Sequence, residues 1–140
     1  MKTFPSLVEG LGHMVLNRIR FVQKRLIRRY KEIGIVASQY LEAGLSVRVN
    51  HPTRLGPVHV FAQGSGQRLV IEVYKDNRPA GTEVVERVME KAKLLRSKPI
   101  LVLYGNAGNL TSDAFEKAKE LGVKVRRIRP EQLSHDVMPR

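Results

Sequence analysis

The sequence predicts an α/β fold with a mixed sheet, on three observations. Three runs with strand patterning, "LSVRVN", "VHVFAQ" and "RLVIEVY", come in close succession, and the last two are joined by the short glycine-bearing "GSGQ", which suits a hairpin. Two later runs, "PILVLYG" and "VKVRRI", alternate with amphipathic stretches of helical period, which predicts parallel pairing and right-handed crossovers onto a sheet that begins antiparallel. From residue 13 to the first strand the chain reads as helical. The predicted order is α(α)βββαβαβ, a mixed central sheet flanked by helices.

The first helix is predicted over residues 13–31, "HMVLNRIRFVQKRLIRRYK". Val15, Ile19, Val22, Leu26, Tyr30 and Ile33 recur at helical spacing on one narrow stripe, and the rest of the wheel is basic, with no acid. At about 100° per residue Phe21 projects into that basic face, near Arg18, Arg25 and Arg28. "EIGIVASQYLEAG" reads as a second helix or a continuation of the first, with Ile33, Val36, Ala37, Tyr40 and Leu41 inward and Gly44 as its stop. The third helix runs from Thr82, a candidate N-cap, to Arg96, with Val84, Val85, Val88, Ala92 and Leu95 on its apolar side. "PILVLYG" is an uninterrupted apolar strand of the kind buried on both faces. "TSDAFEKAKELG" is a helix capped by Thr111 or Ser112 and closed by Gly122.

At 140 residues the chain fits one compact domain, and it shows no internal repeat and no linker long enough to divide it. The expected organisation is a single domain over 1–140, with the basic helix at about 13–31 and the core at about 32–133. Lys and Arg number 25 against 13 Asp and Glu, a net charge of +12, so attraction to a polyanion is expected, nucleic acid before an acidic membrane surface. The absence of cysteine excludes a disulfide framework, a thiolate metal site and a cysteine nucleophile. With no signal-peptide core at its start and no apolar run of membrane-spanning length, the chain is expected to be soluble and cytoplasmic, without a membrane partner.

From Glu32 onward the chain looks like a known family. "EIGIVASQYLEAGLSVRVNHPTRLGPVHVFAQGSGQRLVIEVYK", then a helix, an apolar strand and "LTSDAFEKAKELGVKVRRIRPEQL", resembles the PD-(D/E)XK nuclease superfamily, particularly the Mrr-type catalytic domain and the Holliday-junction resolvases. The likeness covers about residues 30 to 133, and its most specific parts are the Gly-x-x-x-x-x-Ala strand and the closing helix–strand unit. It implies a restriction-endonuclease-like fold. It also implies a Mg²⁺ ion held between an Asp on the second strand and an acid on the third, with a Lys two residues on and often a Glu on the first helix. Hard oxygen ligands suit Mg²⁺, the metal stabilises charge on the attacked phosphate, and the lysine orients water.

Mapped onto this sequence, the helix acid falls on Glu32 and the third-strand acid on Glu72, while the second-strand Asp falls on His59 and the Lys on Tyr74. Lys75 stands one residue late. Strand side chains alternate, so Lys75 points away from Glu72 unless a bulge follows Val73. An imidazole suits Zn²⁺ or a Mn²⁺-like ion better than Mg²⁺. If cleavage is retained, Glu32, His59, Glu72 and Lys75 are the catalytic candidates, His59 and Glu72 the metal ligands, and Mg or Mn the cofactor. Plainer readings stand beside these: His59 as a polar residue at a sheet edge, Glu72 paired with Arg48 or Arg68, Tyr74 as packing with its hydroxyl in water. "GSG" at 64–66 reads as a turn, "GNAGN" after a strand matches no nucleotide fingerprint, and His13, His51, His59 and His135 show no metal-ligand spacing.

The leading expectation is a nucleic-acid-binding protein on a nuclease-like fold with lost or altered catalysis. Its candidate contacts are Arg18, Arg20, Phe21, Lys24, Arg25, Arg28, Arg29 and Lys31 of the first helix and Lys124, Arg126, Arg127 and Arg129 of the last strand. The alternatives are an active metal-dependent, structure-specific endonuclease and a small RNA-binding component of a ribonucleoprotein particle. The family resemblance also implies a homodimer as one arrangement, with Phe21 as a hint of where. The choice between DNA and RNA stays open.

Overall fold

A computed structural model describes residues 3–130, with side chains from residue 17 onward. The expectations that fall on Val15, His13, His135 and residues 131–133 lie outside the described side chains. The elements are α1 (Thr3–Tyr30), α2 (Glu32–Glu42), β1 (Ser46–His51), β2 (Val58–Gly64), β3 (Gln67–Tyr74), α3 (Thr82–Leu94), β4 (Lys98–Tyr104), α4 (Ser112–Leu121) and β5 (Lys124–Ile128). The strands form one sheet in sequence order, β1-β2-β3-β4-β5. The first two pairings are antiparallel and the last two parallel, as the spacing of strands and helices predicts. Ser65 (φ 52°) and Gly66 (φ 75°) both take positive φ between β2 and β3, the backbone that a two-residue type I′ hairpin turn requires.

Helices cover both faces of the sheet. On one, Val36, Ala37 and Tyr40 of α2 pack against Val60, Ile71, Val73, Val102 and Ile128. On the other, Val85 and Val88 of α3 and Ala114 and Ala118 of α4 pack against Leu101 and Leu103, and Ala92 meets Phe61 and Val70. Alternation along β3 therefore sends Ile71 and Val73 toward α2, and Val70 and Glu72 toward α3. Thr111 caps α4 by accepting the Ala114 N–H at 3.1 Å, and Gly122 closes it in the left-handed conformation.

Several local expectations are corrected. α1 begins at Thr3 and spans 28 residues, well before residue 13. Lys31, at φ 55°, ends it and makes α2 a separate helix. Its buried face runs through Gln23 and Ile27, whereas Val22 is exposed. The rotation follows from what α1 packs on: at Gly34 of α2 a methyl group would come within 2.1 Å of the Leu26 carbonyl oxygen, so the helices touch backbone to backbone. Beside that contact the Gln23 amide donates to the Ser38 carbonyl at 2.8 Å. Thr82 is the first residue of α3 and not its cap; Gly81, in extended conformation, holds the N-cap position, and the helix stops at Leu94 rather than Arg96. Among the described residues no helix is long and apolar enough to cross a membrane.

Candidate functional site

β2 and β3 part at the end of their hairpin, and their last paired residues are Val60 and Ile71. Beyond that pair side chains take over from the backbone ladder. The His59 N–H donates to Glu72 Oε2 at 2.9 Å, and the Val73 N–H donates to His59 Nδ1 at 2.9 Å. Glu72 is only 7% exposed, and its other oxygen, Oε1, accepts from the ammonium of Lys91 on α3. Lys91 is 6% exposed and also donates to the Pro57 carbonyl at 2.9 Å. The partner of the buried acid is therefore Lys91 rather than Arg48 or Arg68; Arg68 lies over the Phe61 ring at 5.6 Å. His59 sits on the second strand of the sheet and not at an edge.

This centre sets the charge of His59. Burial lowers its pKa below the ordinary histidine value, the Glu72 carboxylate opposes that shift, and the Lys91 and Lys75 ammonium groups add to it. The Val73 N–H points at Nδ1, which also requires the unprotonated nitrogen. The folded state thus holds His59 neutral with a pKa below that of the unfolded chain. Stability is full above the unfolded value of about 6.5 and falls as pH drops through it toward the folded value. Urea melts at pH 7.5 and pH 5 are expected to show this loss. His59→Asn, whose amide oxygen can replace the Nδ1 acceptor without titrating, is expected to remove its part of the loss; an unchanged pH difference in that variant would refute the assignment.

Lys75 lies on the other side. The β3–β4 register runs without interruption from Leu69–Lys98 through Glu72–Leu101 to Tyr74–Leu103, so no bulge brings Lys75 round to Glu72. Its ammonium is 3.6 Å from the carboxylate of Glu32, the first residue of α2. The residue two before it on that side is Val73, which belongs to the core. Tyr74 packs on the α3 and α4 side, and its solvent-exposed hydroxyl also donates to the Arg78 carbonyl at 2.6 Å. The four catalytic candidates thus form two pairs, His59 with Glu72 and Glu32 with Lys75, separated by the sheet. Glu32 and Lys75 line an open cleft of about 520 Å³ at the carboxyl ends of β3, β4 and β5, together with Asn77, Tyr104 and Arg129. A second hollow shares Glu32 and Tyr104 and is lined by Arg28 and Lys31, so the end of α1 joins the same surface.

Among solved structures the chain is similar to a repair endonuclease from Pyrococcus abyssi, at 24% identity with a TM-score of 0.52 over 66% of this chain and 42% of that one. It is also similar to EndoMS in a complex with double-stranded DNA (23%, TM-score 0.54, 69% of this chain and 41% of that one). A third similar structure, AF1548, is described as a protein of unknown function (17%, TM-score 0.53, 78% of this chain and 58% of that one). The chain shares their fold. It spans about two fifths of the length of the two endonucleases it matches. No protein-family model matches it, and a search of curated proteins gives no match.

The metal that the family resemblance implies can be tested against this endonuclease-like fold. Both Glu72 oxygens are engaged, His59 Nδ1 accepts a backbone N–H, and a lysine ammonium stands against the carboxylate. Among the described residues no three His, Asp or Glu side chains gather where they could hold a metal ion. As the side chains stand, the donor set does not fit a divalent cation.

The basic candidates differ in what holds them. Arg18, Lys24, Arg25, Arg28, Arg29 and Lys31 are exposed along α1, Arg20 is half-buried, and the Arg25 guanidinium lies 6.0 Å from the ring centre of Phe21, itself 62% exposed. On β5, Arg126 donates to the Tyr40 hydroxyl at 2.8 Å, and Arg127 donates to the Gly105 carbonyl at 2.7 Å and to Asn109 at 2.8 Å, so both half-buried guanidinium groups are bonded within the chain. Lys124 and Arg129 are exposed. Three of the five amides of "GNAGN" are engaged as well: Gly105 donates to Ile128, Ala107 to Tyr104 and Gly108 to Asp76. Lys91 and Tyr104 were absent from the expected site. Lys91 had a signal, since it follows Val84 and Val88 at helical spacing and interrupts an otherwise apolar face with a charge.

Proposed function

We propose that this chain binds DNA on an endonuclease-like fold without cutting it. The observation that carries this reading is the division of the catalytic set by the sheet, with neither side complete. On the α3 side Glu72 meets His59 and a lysine ammonium, with Tyr74 at the next position on that face. On the α2 side Lys75 meets Glu32, with Val73 where a second acid would have to stand. Cleavage through a metal-held water needs hard oxygen ligands and a water-orienting base on one side of the phosphate. Binding needs less. The exposed arginines and lysines of α1, continuous through Arg28 and Lys31 with the cleft holding Lys75 and Arg129, offer a cationic track suited to backbone phosphates. The likeness to a fold that EndoMS uses in a complex with double-stranded DNA supports DNA over RNA as the ligand.

The test scores binding and cleavage in the same samples of labelled single-stranded, duplex and four-way-junction DNA and a structured RNA, with Mg²⁺, Mn²⁺ or EDTA. The expected result is salt-sensitive DNA binding, equal in metal and chelator, with intact substrate. Metal-dependent cleavage lost in Glu72→Ala would replace this reading with an endonuclease. A clear preference for structured RNA would replace it with the ribonucleoprotein role.

Phe21 adds a contact of another kind, because an exposed ring in a cationic field can stack on an unpaired base. Phe21→Ala is expected to weaken single-stranded DNA binding about 5- to 150-fold, the equivalent of about 1–3 kcal/mol, and duplex binding far less. Because Val22 beside it is also exposed, the same surface fits a contact between two copies of the chain. A wild-type dimer in light scattering that Phe21→Ala converts to monomer, with DNA affinity unchanged, would assign Phe21 to that contact instead.

A further inference from the structure

We propose that the Lys91 ammonium is the resident cation of the centre between β2 and β3, and that removing its side chain unmasks a divalent-cation site on Glu72 and the Pro57 carbonyl. The inference rests on the reading of a centre that has given up metal chemistry, but it concerns the protein without nucleic acid. A carboxylate oxygen and a backbone carbonyl oxygen converge on one point, on which the ammonium is placed. Two hard oxygens around a buried positive charge are the donors that Mg²⁺, Mn²⁺ or Ca²⁺ would seek.

The neighbouring groups keep those oxygens in place. The second oxygen of Glu72 is held by the His59 N–H, and the His59 ring is in turn held by the Val73 N–H. The carboxylate is therefore oriented by the strands and not by Lys91 alone, so it stays directed at the same point when the lysine is shortened. Lys91 reaches that point from α3, an element separate in sequence from both strands. Its Cα belongs to the helix and its ammonium to the sheet. Shortening it to alanine deletes the cation and opens the space the alkyl chain fills, into which water and an ion can enter beside the carboxylate. Lysine differs from a metal in being unable to leave, so the wild-type centre is expected to be independent of metal supply.

The experiment compares wild type, Lys91→Ala and Lys91→Ala/Glu72→Gln, each titrated with Mn²⁺ alone after chelator treatment. Thermal melts and Mn²⁺ electron paramagnetic resonance are the readouts. Wild type is expected to show no saturable Mn²⁺ binding and no shift in Tm. Lys91→Ala is expected to bind Mn²⁺ and to gain about 5 °C in Tm for each tenfold of Mn²⁺ above its dissociation constant. If that variant is unfolded in chelator, its folding on Mn²⁺ addition supports the proposal equally. The double variant, uncharged at the centre, is expected to fold in chelator and to ignore Mn²⁺. Saturable Mn²⁺ binding by wild type that Glu72→Gln abolishes would overturn the proposal. So would a Lys91→Ala protein indifferent to Mn²⁺, whether folded or not, while the double variant folds. Wild-type Mn²⁺ binding would count against the non-cleaving reading as well, whereas a Lys91→Ala protein indifferent to Mn²⁺ would overturn this proposal and leave that reading standing.

Discussion

Lys91→Met is expected to lower the unfolding free energy by about 3–5 kcal/mol, the cost of leaving one charge of a buried pair without its partner. Methionine keeps most of the volume of lysine, so packing loss adds little and the effect reports the stranded Glu72 carboxylate. In Lys91→Met/Glu72→Gln the uncharged amide oxygen can still accept the His59 N–H while its NH₂ faces the Pro57 carbonyl, and most of the loss is expected to return. Urea denaturation of both variants measures this, with unchanged m-values showing that the folded and unfolded ensembles are otherwise alike. Equal destabilisation in single and double variants would mean that Lys91 acts through packing and not charge.

Replacing Arg18, Lys24, Arg25 and Arg28 together by glutamine is expected to weaken duplex DNA binding about 10²- to 10³-fold near 0.15 M salt. Each phosphate contact contributes about 0.9 to the log–log salt slope and so about a factor of 5 at that salt, and the slope itself should fall by about 3 to 4. Glutamine keeps helix propensity close to that of arginine and lysine, so the far-ultraviolet circular dichroism melt should barely change. Anisotropy titrations from 50 to 300 mM salt supply both numbers. An unchanged slope would remove α1 from the interface and leave the cleft around Lys75 and Arg129 as the place to look.

The order of elements, the hairpin at Ser65 and Gly66, and the switch from antiparallel to parallel pairing were legible in the sequence because each rests on local signals: a period of two, a glycine turn, alternation with helices. The division of the candidate site was legible too, as a conditional. Alternation put Lys75 opposite Glu72 unless a bulge intervened, and the continuous β3–β4 register removes that condition. Lys91 was not legible as a partner of Glu72, because nothing in a sequence says which helix will lie over which stretch of strand. The same limit explains Val22. On a helix wheel it belongs to the apolar stripe beside Leu26, but α1 meets α2 at Gly34, and that crossing turns the helix until Gln23 faces inward. Arg126 and Arg127 looked like ligand contacts on composition, and the fold shows both bonded within the chain.

The pairing of Gln23 with Ser38 bears on aim more than on strength. A helix with cations around most of its circumference could dock on α2 in several rotations that bury similar apolar area, and each would point the arginines in a different direction. One carboxamide distinguishes among them, since only one rotation brings its N–H to the Ser38 carbonyl while the Ser38 hydroxyl remains on the Gly34 carbonyl. A buried residue thereby sets the direction of the charges from Arg18 to Arg29 on α1. Mutational loss at Gln23 would then be read in which DNA geometry is accepted, well before it is read in whether the chain folds.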